Sequence, residues 1–308
     1  MQAAYRRLGF VFAVLFLLAA FGPVRAQAAE GDDGKLRIIV FGAHPDDSEI
    51  RAGGSAILWT EQGNEVTLVS ATNGDIGHWR MSGGALAKRR IAEAREVGKL
   101  WGTKSIVFDI HDGELLPTLE AREEFTRAIR RAEADIVIGH RPNDYHPDHR
   151  YTGVLMQDSA YMVTVPFFCP DVPALKKNPV FLYSEDRFQE PNPFVPDVVV
   201  AIDRVVDKKA EGLALMESQF VEGGANGSAE TAPKNEAERE AKRQQVRESF
   251  KRRAADTANR FRDKLIEIYG EEAGKAVKYA EAFQVCEYGR QPSAEELRKM
   301  FPVDAGKK

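Results

Sequence analysis

Between residues 36 and 140 four short apolar runs alternate with stretches of helical spacing, and few folds accept that pattern. Residues 36–41, 65–71, 105–110 and 134–139 read as buried strands. Each is short, carries Val, Ile or Leu, and leads to a glycine or a polar loop. Ile50, Ile57 and Leu58 precede Gly63, and Leu86, Ile91, Val97 and Leu100 precede Gly102, as the apolar faces of two helices that end at glycines. A third helix is expected around residues 120–131. Strands and helices in alternation, joined by short connections, predict an α/β fold: a parallel sheet flanked by helices on both faces. Ligands in such sheets bind beyond the carboxyl ends of the strands.

The chain collects its polar residues at those ends. His44, Asp46 and Asp47 follow the first strand, Asn73 and Asp75 the second, and His111 and Asp112 the third. His140, Asp144, His146 and His149 follow the fourth. Five of the six histidines lie in or just after segments that end at this edge. One His-Pro-Asp run in a loop is ordinary turn chemistry, since Pro and Asp are turn residues. Two of them, His44-Pro45-Asp46 and His146-Pro147-Asp148, each behind a strand of the same pattern, converge on one crevice.

Such a crevice suits a metal. A catalytic Zn²⁺ takes three ligands from His and Asp/Glu and keeps a position open for water. His44 and Asp47 from one loop and His149 from the other supply that set. Pro45 and Pro147 restrict the two turns. The same donors do not strongly select zinc, so Fe²⁺ is an alternative. Asp46, beside the ligands, is the candidate general base. His146, as a cation, would stabilise an oxyanion or protonate a leaving amine. Asp148 would orient that imidazole and raise its pKa. His140 and Asp144 are candidates to support the ligands, and Asp75 and Asp112 to support them or to meet substrate. Arg80, Arg89 and Arg90 read as surface or helix-face charges.

The rest of the chain is less regular. A helix is expected over residues 151–163, then a Pro-rich stretch, 165–196, holding one strand at 180–183. Another strand, 197–202, and a helix, 204–220, follow. Residues 35–220 thus form the catalytic domain and 221–236 a flexible loop. Residues 237–308 read as a helical extension on the same domain. Its charge-dense part, 235–268, is expected to be a solvated helix with one apolar seam. Two cysteines, Cys169 and Cys286, give no Cys-based metal spacing; they either pair or stay as buried thiols.

Residues 1–28 read as a secretory signal peptide: Arg6 and Arg7, an apolar run over 8–21, and small residues at 24–28. That run is short for a membrane span. The expectation is export to the periplasm or outside, with no stable membrane span after processing. The formal net charge of -4 argues against nucleic acid as a partner.

The run 43–49 resembles the signature of the LmbE/PIG-L family of zinc-dependent N-deacetylases. The likeness continues through Gly53-Gly54, the 72–74 loop, Arg90-x-x-Glu93, Asp112-Gly113 and residues 144–150. It covers roughly residues 36–220. Ser218-Gln219 resembles a family pair, although Met216 stands where members often carry His or another polar residue. The resemblance implies a Rossmann-like fold and removal of an N-acetyl group from an amino sugar or glycoconjugate. It implies that His44, Asp47 and His149 hold zinc, that Asp46 is the base, and that His146, oriented by Asp148, stabilises the tetrahedral intermediate. Residue chemistry alone leaves two other readings. One is a metal hydrolase of another amide or ester. The other is a carbohydrate-binding protein, for which an unligated Asp46 has no use.

Overall fold

The computed structural model describes residues 33–303, so the expected signal peptide lies outside the described residues. Strands and helices alternate as β1 (Arg37–Gly42), α1 (Asp47–Glu61), β2 (Glu65–Ser70), α2 (Gly83–Trp101), β3 (Lys104–Val107), α3 (Leu119–Arg131), β4 (Ile136–Gly139), α4 (Pro147–Met162) and β5 (Val180–Ser184). Then come β6 (Val198–Ala201), α5 (Val206–Ala214), α6 (Glu217–Phe220), α7 (Glu236–Arg260), α8 (Arg262–Tyr269), α9 (Glu271–Ala276), β7 (Ala280–Gly289) and α10 (Ala294–Met300). The sheet order is β3-β2-β1-β4-β5-β7-β6. The first five strands in that order are parallel, and β7 runs antiparallel to both of its neighbours.

The chain leaves β1 toward β2 and β3, then crosses back to place β4 on the other side of β1. Strand order reverses there, so the loops after β1 and β4 open a crevice at the carboxyl edge. Alternate residues of β1 serve opposite faces, as strand geometry requires. Ile38 and Val40 pack with Trp59, Trp101 and Leu213 on one side. Ile39 and Phe41 pack with Phe125, Leu155 and Met156 on the other, where Phe41 stacks on Phe125 at 4.6 Å between centroids. Burying each such side chain stabilises by about 1.5–3 kcal/mol.

Several elements differ from their sequence expectation. The third strand stops at Val107, although the Phe108 N–H still donates to the Ser70 carbonyl and the Ile110 carbonyl accepts the Asn73 N–H. Helix α4 begins at Pro147 rather than near residue 151. Proline at the first helical turn lacks an N–H that would have had no partner there, and the His146 ring takes the Asp148 N–H as the cap. The expected 204–220 helix breaks between Ala214 and Glu217. The 221–236 loop is held at its start, where Glu222 takes two bonds from Arg89 at 2.9 Å each. Cys169 and Cys286 are both free and buried.

The largest correction concerns residues 237–308. They are not only helical: β7 sits inside the sheet between β5 and β6. Its Glu281 points inward and is 4% exposed. Lys209 Nζ donates to it at 2.7 Å, and the Gly54 and Ser55 N–H groups of α1 donate at 2.7 Å each. Lys209 also donates to the Ile50 carbonyl of α1. One buried ion pair therefore fastens β7 and α5 to the helix that starts at Asp47. Glu281→Ala strips a buried ammonium of its counter-charge, leaving it only the Ile50 carbonyl, and takes an acceptor from two helix N–H groups, and should cost about 3–5 kcal/mol in urea unfolding. A loss below about 1 kcal/mol would show that water replaces the carboxylate.

Candidate active site at the sheet edge

Gly42 ends β1, and the chain folds back at once into α1. A Cβ on Gly42 would lie 2.6 Å from Asp47 Cβ and from the Ser48 nitrogen, so only glycine allows this closeness. The fold-back aims the Asp47 carboxylate at the loop it has just left. Its Oδ2 accepts the N–H groups of Ala43 (3.1 Å) and His44 (2.8 Å). The same oxygen lies 3.3 Å from His44 Nδ1 and 3.3 Å from His149 Nε2. These bonds and the imidazoles hold Asp47 well below the usual carboxylate range although burial opposes it.

Both imidazoles have their far nitrogen fixed. His44 Nε2 lies 3.0 Å from Asp112 Oδ1 and 3.2 Å from Asp148 Oδ2, and His149 Nδ1 lies 3.1 Å from Asp144 Oδ1. Two imidazoles that turn one nitrogen toward a shared carboxylate oxygen and rest the other on a second carboxylate form the donor pattern of a metal site. The donor chemistry fits a divalent cation. Donor atoms lie within 4.8 Å of one another in three overlapping sets: His44/His146/His149, Asp47/His140/His149 and His44/Asp112/Asp148. The expected trio His44, Asp47 and His149 joins the first two sets. His140 stacks on His149 at 4.3 Å, and its Nε2 accepts the Ala43 N–H at 3.3 Å.

Charge in the bare site is set by these contacts. Burial works against the His149 cation, but Asp47 and Asp144 outweigh it and push the pKa up to about 9. Asp112, Asp148 and Asp47 likewise hold His44 well above the ordinary value against its burial. Asp46 is pushed up to about 6 by burial and by Asp47, partly offset by Arg90. Arg90 is 2% exposed and is no surface charge. It donates to the Gly74 and Pro45 carbonyls at 3.1 Å and to Asp46 Oδ2 at 3.3 Å. A Cβ at Gly74, which has a φ of 68°, would collide with that guanidinium. Sequence inspection missed Arg90 because a charged triplet, Lys88-Arg89-Arg90, does not say which member turns inward.

Asp148 does not orient His146. Its carboxylate bonds His44 Nε2 and the Gly113 and Leu115 N–H groups. His146 Nδ1 instead accepts the Asp148 N–H at 3.2 Å, which leaves the proton on Nε2. Burial and the neighbouring His44 and His149 cations push the His146 pKa down, opposite to the expected direction. Asp112 stands directly on His44. Asp75 lies one step away, with His111 Nδ1 at 2.6 Å and the Asp112 N–H bonded to it. Ser218 donates to Glu93, and Gln219 to the Gly77 carbonyl, while Met216 is core.

A cavity of about 550 Å³ opens beside Asp47 and His149. The Pro-rich stretch reaches it through residues 185–188. The 222–233 loop does not line it; α7 does, through Phe250, Arg253 and Thr257. Two residues of its wall had no signal in composition. Tyr145, 73% exposed, stands edge-on to His149 at 5.5 Å, and Arg51 lies one turn beyond Asp47.

Two outcomes follow from these contacts. In metal-free protein, Asp148→Asn should lower the His44 pKa and move His146 little, read by NMR titration of the imidazoles; the reverse result would restore the original pairing. Stability of the metal-free protein should fall as pH rises from about 6 to about 9. The raised folded pKa of His149 makes its contribution complete below ~6.5 and lost through about 9, whereas the contribution of Asp46, whose raised pKa favours the protonated folded state, is already lost by about 6. Thermal melts across that range, with His149→Gln as control, measure it; a flat profile would contradict the charge assignment.

Comparison with known proteins agrees with this layout. A family model described as GlcNAc-PI de-N-acetylase (PIG-L) matches residues 39–160, from β1 into α4. The diacetylchitobiose deacetylase of Thermococcus kodakarensis is 30% identical over 194 residues, 60% of this chain and 71% of that protein. A 4-oxalmesaconate hydratase of Pseudomonas putida is 26% identical over 189 residues, 59% of this chain and 73% of that protein. Among solved structures, the N,N'-diacetylchitobiose deacetylase of Pyrococcus horikoshii shares the fold at a TM-score of 0.61 and 23% identity, covering 81% of this chain and 83% of that one. Switch-point crevice, paired His-Pro-Asp loops and these relatives lead to one conclusion: the chain belongs to the PIG-L (LmbE-like) family.

Proposed function

We propose that the protein is a metal-dependent hydrolase that removes the acetyl group from an N-acetylated amino sugar or glycoconjugate. The observation that carries this reading is the pair of 3.3 Å approaches of His44 Nδ1 and His149 Nε2 to one Asp47 oxygen, with the Asp46 carboxylate beside them. His44, Asp47 and His149 would hold the metal, with Zn²⁺ favoured and Fe²⁺ compatible with the same donors. When bound, a divalent cation acidifies water and polarises the acetyl carbonyl. Asp46 then accepts the proton of the attacking water. Its pKa of about 6 keeps it ionised at neutral pH while leaving it basic enough to act. Arg90 fixes the direction of that carboxylate.

His146 stands edge-on to His44, with ring centroids 4.7 Å apart, and 5.1 Å from His149. Its Nε2–H can donate to the oxyanion of the tetrahedral intermediate as a neutral imidazole, not as the cation expected from sequence. Collapse of the intermediate expels the amine, which takes its proton from Asp46. A cavity of about 550 Å³ beside these groups has room for a sugar residue or two.

The test is acetate release by metal-loaded protein from N-acetylglucosamine, N,N'-diacetylchitobiose and larger N-acetylated glycans. Asp46→Asn should keep its metal and lose about 10²-fold or more in turnover, whereas His44→Ala and His149→Ala should lose the metal itself. Full metal occupancy in both histidine variants would sink the ligand assignment. A second reading draws on the hydratase relative: the same base adding water to a carbon–carbon double bond. Turnover of unsaturated carboxylic acids with no acetate from any sugar would favour it.

A further inference from the structure

The cavity beside Asp47 and His149 carries more cations than its own acids use. Asp186 is held by two bonds from Arg141, at 2.6 and 2.5 Å. Glu185 accepts from Thr257 Oγ1 at 2.6 Å and from Arg260 at 2.8 Å. Asp256 lies 3.4 Å from Arg187, and Glu281 is spent on Lys209 and α1. Every acidic wall residue outside the metal site therefore has a partner. Arg51 and Arg253 do not: among the described residues neither has a carboxylate within ion-pair distance.

Arg51 makes one bond, from Nη1 to the Glu185 carbonyl, and its Nε is buried with no hydrogen-bond partner. A buried N–H of a guanidinium without an acceptor is costly, and an anion in the cavity would supply one. Arg253 comes from α7, on the opposite wall, with its guanidinium 4.9 Å from the Phe250 ring centre. Burial and the nearby Arg51 and Arg187 push its pKa down, as expected where cations crowd one space.

We propose that this cavity receives an anionic substituent of the N-acetylated substrate, a carboxylate or a phosphate, held between Arg51 and Arg253. The inference rests on the deacetylase reading for the identity of the substrate, but not for the charge preference. Arginine suits both anions because its planar fork offers paired N–H donors. The acetyl group would lie at Asp46 and the anion toward α7. The C-terminal extension thereby becomes a specificity element, since Arg253 enters from it.

Binding separates the two readings. Calorimetry on the metal-loaded full chain carrying Asp46→Asn, which prevents turnover, would compare N-acetylglucosamine, its 6-phosphate and N-acetylmuramic acid. At least one charged sugar should bind about ten-fold or more tightly than the neutral one, the gain expected of a charge-assisted contact. Which of the two it is distinguishes phosphate from carboxylate. Arg253→Gln should reduce that preference to about two- or three-fold, and Arg51→Gln/Arg253→Gln should abolish it, with unchanged circular dichroism. Equal binding of charged and neutral sugars, or a preference that survives the double variant, overturns the proposal. Inorganic phosphate binding as tightly as the phosphorylated sugar would also overturn it, because the sugar would then contribute nothing. Absence of acetate release from the wild type, with the charge preference intact, would reject deacetylation and leave the anion site standing.

Discussion

One carboxylate oxygen organises this molecule's chemistry. Asp47 Oδ2 sits where the chain turns from β1 into α1, accepts two backbone N–H groups of the turn, and faces two imidazoles at 3.3 Å. A buried anion in that place is tolerable only because donors surround it. The residues that supply them are the same ones that give the crevice its shape. Gly42 is needed for the turn, the β1–β4 adjacency brings His149 across, and Asp144 and Asp148 hold the rings from behind. Satisfying Asp47 and preparing a cation site are one structural act.

The supporting layer follows the same logic of direction. Each imidazole has two nitrogens, and the outer one is committed to a carboxylate, so the inner one is left facing the centre. Arg90 plays the corresponding part for Asp46, with its remaining donors spent on the Gly74 and Pro45 carbonyls. Farther out, Arg89, Arg239 and His78 bind Glu222 and pull its pKa down to about 2, which ties the loop after α6 to the loop after β2.

How much of this could be read beforehand depended on whether the signal was local. Strand and helix alternation is a property of neighbouring residues, and β1, β2, β4, α1 and α2 lie within a few residues of their expected bounds. His44, Asp47 and His149 come together because strand order does so, and parallel topology implied that. What required tertiary facts was not legible. Asp148 is only two residues from His146 in sequence, yet its side chain leaves the first turn of α4 in the direction of His44. Arg90 is one of three adjacent cations, and only the carbonyls it meets decide its burial. Strand β7 has a glutamate facing inward, so its pattern resembled neither a buried run nor an alternating one; the partner that makes Glu281 acceptable stands 72 residues earlier.

The Glu281 bonds to α1 span 226 and 227 residues. A chain emerging from its N-terminus presents His44, Asp47 and His149 well before it presents the glutamate that fastens the helix behind Asp47. Contacts of such separation close late, after the loop entropy between them has been overcome. The setting of the helix behind Asp47 therefore depends on the last strand of the sequence to enter the sheet. A protein built this way makes the placing of Asp47 conditional on the completed sheet.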